Sequence, residues 1–193
     1  KGYVGMITGN HDMQRLAYLR DPDEIKVCMA FLFTMPGVPF VYYGDEIGMD
    51  YIEGLPSKEG GYIRTGARTP MQWNNGKNHG FSVSDTPYLP TDDRKGAPTV
   101  EEQEKDEDSL LVFVKKLIAL HKETAALHAD ADFNVLMSGY PFVYERMADG
   151  KKLLIALNPS AERRCFDAPK LGKILLSQNV EQKDDQLIMH GVS

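Results

Sequence analysis

Apolar positions along the 193-residue chain fall into two textures. Tyr3 to Thr8 is a short apolar run without polar alternation, the pattern of a strand buried on both faces of a parallel sheet. Asp21-Pro22-Asp23-Glu24 then predicts a helix start. Asp21 caps it, Pro22 takes the first turn where no N–H is needed, and Glu24 completes a capping box. Ile25, Cys28, Met29, Leu32 and Phe33 recur at helical spacing until Met35-Pro36-Gly37 ends the pattern. Val38 to Tyr43 is a second fully apolar run and predicts a second buried strand, which completes a βαβ unit.

Gly44 to Val100 has no such periodicity and is rich in Gly, Pro, Asn and Asp. A stretch of that length inside a compact domain is usually functional or disordered. Six acids and one Lys follow between Glu101 and Asp108, read as a solvated segment leading into a positive helix N-terminus. In the helix after Ser109, Leu110, Leu111, Val114, Leu117, Ile118 and His121 share one face, with Lys115, Lys116 and Lys122 elsewhere. From Phe133 onward the texture becomes short strand-like runs: Phe133–Met137, Phe142–Met147, Lys152–Leu157, Lys173–Ser177 and Gln186–Met189. These predict a small antiparallel sheet or sandwich. The fold class is therefore α/β plus all-β, with residues 1–128 as one domain and 129–193 as a second.

Charge and composition narrow the partners. A net charge of −6 and a pI near 5.4, without a basic stripe, argue against nucleic acid or an anionic membrane surface. The longest apolar stretch, Val27 to Tyr43, is interrupted by Thr34, Pro36, Gly37 and Pro39, so no membrane span of ~20 apolar residues is present. Cys28 and Cys165 are too few for a disulfide framework, and a cytoplasmic location is expected. The first residue is Lys1 rather than Met, so a cut or processed end is expected.

Three places can carry chemistry. Asn10-His11-Asp12 follows the first predicted strand, where loops of parallel α/β folds converge. A His beside a carboxylate can bond the adjacent hydroxyls of a sugar; the same tripeptide can equally be an Asx turn with a His on a loop. Gly44-Asp45-Glu46 follows the second strand, and Glu46 is either a general acid or, with Asp45, a residue that ties the loop down. In Arg68-Thr69-Pro70-Met71-Gln72-Trp73, Arg68 can pair with a carboxylate, Gln72 can bond a hydroxyl and Trp73 can stack on a sugar face. Alternatively the segment is a locked loop with Trp73 as its plug. His11, His79, His121, His128 and His190 show no metal-ligand spacing, and His121 is expected at the helix surface or core edge. With no phosphate-binding glycine motif either, no metal and no cofactor is expected.

Together these motifs resemble one family. Gly9-Asn10-His11-Asp12, then Pro36-Gly37-Val38-Pro39-Phe40-Val41-Tyr42-Tyr43-Gly44-Asp45-Glu46-Ile47-Gly48-Met49, then Ala67-Arg68-Thr69-Pro70-Met71-Gln72-Trp73 are similar to the α-amylase family of glycoside hydrolases. Within it they look most like the oligo-1,6-glucosidase, α-glucosidase and trehalose synthase branch. The resemblance continues through Asn78-His79-Gly80-Phe81-Ser82 and is firm to about residue 128. It implies that the first two strands are strands seven and eight of a (β/α)8 TIM barrel and that the last part is the family's C-terminal β-sandwich. It also implies that Asp12 stabilises an oxocarbenium-like transition state and that His11 binds the glucosyl unit. Arg15 and Arg68 would lie near the substrate, and Asp45, Glu46, Gln72 and Trp73 would be structural or acceptor-side loop residues.

The departures are as informative. A retaining glycosidase needs a nucleophilic carboxylate and a separate acid/base carboxylate about 5–5.5 Å apart. In this family the nucleophile sits in an R-x-D-A pattern, which is absent; Asp130-Ala131 has His128 two places before it instead of Arg. The chain is thus expected to be the C-terminal portion of a larger retaining hydrolase or transglycosylase acting on α-glucosidic bonds of short oligosaccharides, inactive alone and prone to self-association. The alternative is a non-catalytic carbohydrate-binding or scaffold module derived from the family.

Overall fold

A computed structural model describes residues 2–58, 64–168 and 171–193. Lys1, and the part of the expected long loop at 59–63, lie outside the described residues. The chain forms two compact units. One comprises Lys1–Gly5, Lys26–Val38 and Lys116–Ser193, the other Met6–Ile25 and Pro39–Lys115.

The short strands β1 (Gly5–Ile7) and β2 (Val38–Phe40) pair with each other. Val38 N–H donates to Val4 O at 2.9 Å and Thr8 N–H to Phe40 O at 3.0 Å, so the register advances together and the strands run parallel. The expectation that both strands are buried on both faces is not met. Val4 is 66% exposed, Ile7 53% and Phe40 57%. A two-stranded ribbon has too little sheet to hold a covering layer over every apolar side chain, so these stay open to water.

Between them runs α1 (Pro22–Thr34). Its capping box is formed reciprocally: Glu24 N–H donates to Asp21 Oδ1 and Asp21 N–H to Glu24 Oε2, each at 2.9 Å. Ile25, Met29, Leu32 and Phe33 are buried as their spacing predicts, but so is Val27. Val27 and Ala30 pack on Tyr144, Ile155 and Leu157, which gives α1 a second apolar stripe where only one was expected.

In the unit containing residues 116–193, β3 (Asp132–Met137), β4 (Phe142–Ala148) and β5 (Lys151–Leu157) form an antiparallel sheet in sequential order. A second antiparallel sheet has the order β6 (Arg164–Asp167), β8 (Gln186–Met189), β7 (Val180–Lys183). The run Lys173–Ser177 is not a strand, a correction to the sequence pattern; Ile174 and Leu175 are 45% and 49% exposed. Apolar residues there never acquire a partner strand, and strand identity depends on pairing rather than composition.

Arg146 is the central brace of this unit. Its side chain is fully buried, and burial lowers its pKa. It donates to three carbonyls: Thr34 O at 2.7 Å, His128 O at 2.6 Å and Asp132 O at 3.3 Å. Thr34 closes α1, so the guanidinium also meets the negative end of that helix. The Thr34 hydroxyl donates to Ala30 O at 2.6 Å and accepts from the Tyr144 hydroxyl at 2.5 Å. Burial pushes the Tyr144 phenol up to about 12, so it remains a donor at neutral pH.

In the other unit the described part of the long connection is folded, although largely without regular structure. Short 3-10 turns occupy Asp45–Ile47, Thr65–Ala67 and Lys77–Gly80. Asp92 is 2% exposed; burial opposes its charge, but a two-pronged Arg94 contact at 2.7 and 2.5 Å outweighs burial and lowers its pKa. α2 (Val100–Gln103) starts at Thr99, whose side chain accepts from Glu102 N–H, within what composition alone had marked as a solvated acidic segment. Gln103 then clamps α3 (Leu110–Glu123): its Nε2 donates to Ile47 O at 2.8 Å and its Oε1 accepts from Leu111 N–H at 2.9 Å. Leu110, Leu111, Val114 and Leu117 are buried, while His121 is half-buried with Nδ1 2.8 Å from Phe33 O.

Two substitutions rank these devices. Asp21→Ala removes one side of the capping box and should lower stability by about 1 kcal/mol in urea denaturation. Arg146→Leu removes three hydrogen bonds from a charged donor, one of them to the buried Thr34 carbonyl, and at about 1.5 kcal/mol or more for each it should cost at least about 3 kcal/mol. A smaller loss for Arg146→Leu than for Asp21→Ala would show that the brace is redundant.

Candidate functional site

The segment after β1 turns sharply. Asp12 N–H donates to Asn10 Oδ1 at 2.8 Å, an Asx turn that lifts His11 and Asp12 off the strand end. Both side chains reach solvent, at 64% and 46% exposure. Asp12 is nevertheless held. Its Oδ1 lies 2.9 Å from Arg68 Nη2, 2.7 Å from Arg64 Nη1 and 3.3 Å from His11 Nε2. Arg68 also donates from Nε to His11 O at 2.9 Å, so one guanidinium fixes both the backbone and the carboxylate of the His-Asp pair.

The two arginines flank the Thr65–Ala67 turn, which is itself buried. Gly66 is required there by close approach: a Cβ would sit 2.2 Å from Ile52 O. Thr65 donates to Pro56 O at 3.0 Å. Arg64 carries no motif signal in the sequence. Only its place four residues before Arg68, across a glycine-containing turn, distinguishes it.

Behind this surface lies Arg15. Expected near the substrate, it is 2% exposed. Its Nη1 donates to Tyr43 O at 2.6 Å and lies 3.7 Å from Asp45 Oδ1, and its guanidinium carbon lies 5.2 and 4.8 Å from the ring centroids of Tyr42 and Tyr43. Its chemistry is that of a strut. Tyr42 and Tyr43 extend the strut to the third loop, donating to Ala67 O at 3.1 Å and Thr69 O at 2.8 Å, on either side of Arg68. Tyr42 N–H closes the circuit by donating to Thr8 Oγ1 at 2.9 Å. Burial pushes the Tyr42 phenol up to about 12, so it remains a donor in this circuit.

Asp45 is fully buried, and Glu46 is partly so. Burial raises the pKa of both carboxyls, and for Asp45 the attraction of Arg15 opposes the rise without cancelling it. Gly44, at φ 87°, could not be replaced without collision: a Cβ would sit 2.4 Å from Met49 Sδ and 3.0 Å from Arg15 Nη1. Asp45 and Glu46 thus belong to the wall behind the Asp12 surface.

The third motif divides in two. Gln72 is 1% exposed, with Nε2 donating to Pro98 O at 2.5 Å, so its amide is engaged inside the fold. Trp73 is 49% exposed, so of the two readings the plug is the one the structure does not support; Met71 and Gln72 are buried instead. The reason is register, since Val100 N–H bonds Gln72 O and Glu101 N–H bonds Trp73 O, which leaves the indole outside. Among the described residues, no group of three or more His, Cys, Asp and Glu could hold a metal ion. No helix among them is long and apolar enough to cross a membrane.

Comparison with known proteins follows the same lines. The family model described as alpha amylase, catalytic domain, matches residues 1–130. A probable oligo-1,6-glucosidase 2 of Bacillus subtilis (strain 168) is 34% identical over 97% of this chain, which spans 41% of that protein's length. The salivary alpha-glucosidase of Aedes aegypti is 33% identical over 81% of this chain and 29% of its own length. The human amino acid transporter heavy chain SLC3A1 is 32% identical over 78% of this chain and 22% of its own length. Among solved structures, the trehalulose synthase MutB of Pseudomonas mesoacidophila MX-45 superposes with a TM-score of 0.85 at 22% identity, covering 99% of this chain and 42% of that one. At that identity the last likeness shows the fold alone.

The Arg15–Asp45 wall makes a pH-dependent prediction. A carboxyl whose folded pKa is raised is most stabilising in its protonated form, below the unfolded value of about 3.9. That contribution is lost as pH rises through the raised folded value. Asp45→Asn is neutral throughout, so its stability relative to the wild type should increase as pH is raised from about 4. Urea denaturation at several pH values checks this; a relative decrease would mean that attraction to Arg15 outweighs burial.

Proposed function

We propose, from the premise that this chain belongs to the α-amylase family, that it acts in a retaining glycoside hydrolase or transglycosylase on the α-glucosidic bonds of short oligosaccharides. The observation that carries the reading is the convergence of His11, Asp12 and Arg68 at the carboxyl end of β1, with the carboxylate oriented and solvent-accessible. In this reading Asp12 accepts from sugar hydroxyls, His11 bonds the glucosyl unit, and Trp73 offers an exposed ring on the acceptor side. Gln72, Asp45 and Glu46 act from the wall, as Arg15 does.

The charge balance bears on what the chain does alone. Arg64 and Arg68 both contact Asp12, so two positive groups offset one negative. Such a site binds neutral hydroxyls well but favours a developing cation weakly, and further carboxylates are needed for chemistry. With no R-x-D-A nucleophile in the sequence, the chain by itself is inactive. β1 and β2 are strands seven and eight of a TIM barrel, and residues 129–193 with their two antiparallel sheets are the C-terminal β-sandwich domain. The compartment is the cytoplasm, and the exposed flanks of β1 and β2 drive self-association. A second reading, a non-catalytic binding or scaffold module, draws support from the likeness to a transporter heavy chain.

Release of p-nitrophenol from an aryl α-glucoside tests the activity. The folded chain should show none, and neither should Asp12→Ala. Turnover abolished by Asp12→Ala would show that a carboxylate in this chain replaces the nucleophile. Light scattering should show mass rising with concentration; a monomer throughout would count against the exposed-flank argument.

A further inference from the structure

A carboxylate plane is set by a soft torsion, because rotation about an sp3–sp2 bond is broad. Arg68 alone would leave Asp12 free to swing, since it places a single Nη2 donor on Oδ1 at 2.9 Å while its Nε is engaged with His11 O. Arg64 Nη1 forms an ion pair with that same oxygen at 2.7 Å. The two arginines are held apart by a buried turn whose glycine tolerates no side chain. Two guanidiniums from a rigid turn restrain that oxygen, because any swing lengthens one contact or the other. Both contacts fall on Oδ1 and neither on Oδ2.

We infer that Arg64 is a positioning residue: it fixes the Asp12 carboxylate so that Oδ2 and the exposed His11 ring present one edge to a neutral vicinal diol. This rests on the α-glucoside reading for the identity of the diol, but not for the orientation itself. Arg64 acts through Asp12 and touches no reacting atom. Its side chain is 31% exposed against 46% for Asp12, and ion pairs so open to water add little to stability. Its removal therefore loosens the site while leaving the fold in place.

The experiment compares the chain with Arg64→Gln and Arg64→Lys by two readouts. Amide hydrogen exchange at Asp12 and Met13 should quicken in Arg64→Gln and be largely restored in Arg64→Lys, with unchanged thermal unfolding. Titration with methyl α-glucopyranoside, followed by NMR, should show binding weakened about tenfold in Arg64→Gln, the loss of one charge-assisted contact, and recovered in part by Arg64→Lys. Unchanged exchange, or unchanged affinity in a chain that binds the glucoside, overturns the inference. If the exchange pattern appears but no form binds the glucoside, the positioning role stands and the α-glucoside reading falls.

Discussion

A guanidinium cannot give up its proton inside a protein, so wherever this chain buries one, the surrounding backbone must be arranged to receive it. It does so twice, with different outcomes. Arg146 is enclosed by three carbonyls, one of which, that of Thr34, closes α1. The arrangement is satisfied and rigid, and it ties the end of α1 to β3 and β4. Arg15 receives one carbonyl, two aromatic faces and a carboxylate at 3.7 Å, while its Nε and Nη2 have no hydrogen-bond partner among the described residues. An ion pair so poorly hydrogen-bonded is a weak source of stability. Its effect lies in geometry, since Tyr43 and Gly44 are both shaped around it.

What was legible in the sequence follows the range of the interaction. The start of α1 could be read because a capping box is a contact between residues three apart, and all its chemistry lies in Asp21 and Glu24. The apolar face of α3 and the paired runs that became β3, β4 and β5 were legible for the same reason: period and turn residues are local. β6 and β7 were missed because short, polar-rich strands such as Val180–Lys183 are made into strands by the central β8 between them. Lys173–Ser177 was over-read for the converse reason, having strand composition and no partner.

At the site, sequence reasoning found the loops but misjudged the depth of their side chains. His11, Asp12 and Arg68 do converge. Arg15 lies only three residues beyond Asp12, yet it faces inward. Sequence left Trp73 open between a sugar-stacking ring and a loop plug; the ring is exposed and Gln72 is buried, in a register with two backbone bonds from Val100 and Glu101. Arg64 was invisible, because nothing in a four-residue spacing announces that both arginines will meet one oxygen 52 and 56 residues away in the chain.

The site is consequently less dependent on the sheet than its position suggests. β1 and β2 have only three residues each and leave Val4, Ile7 and Phe40 open, so the ribbon is a poor platform by itself. Rigidity comes instead from bonds that cross between loops. Thr8 meets Tyr42, Tyr42 and Tyr43 meet Ala67 and Thr69, and Arg68 meets His11 and Asp12, which returns to the first loop. This closed circuit links three segments, with the Arg15 side chain at its centre stacked on the two tyrosine rings. A circuit of this kind fixes Asp12 more tightly than any one contact in it could, since displacing one loop strains the bonds of the other two. The chemistry-bearing residues are therefore held by polar contacts that reinforce each other around a ring, and the bare apolar flanks of the strands can remain uncovered without loosening them.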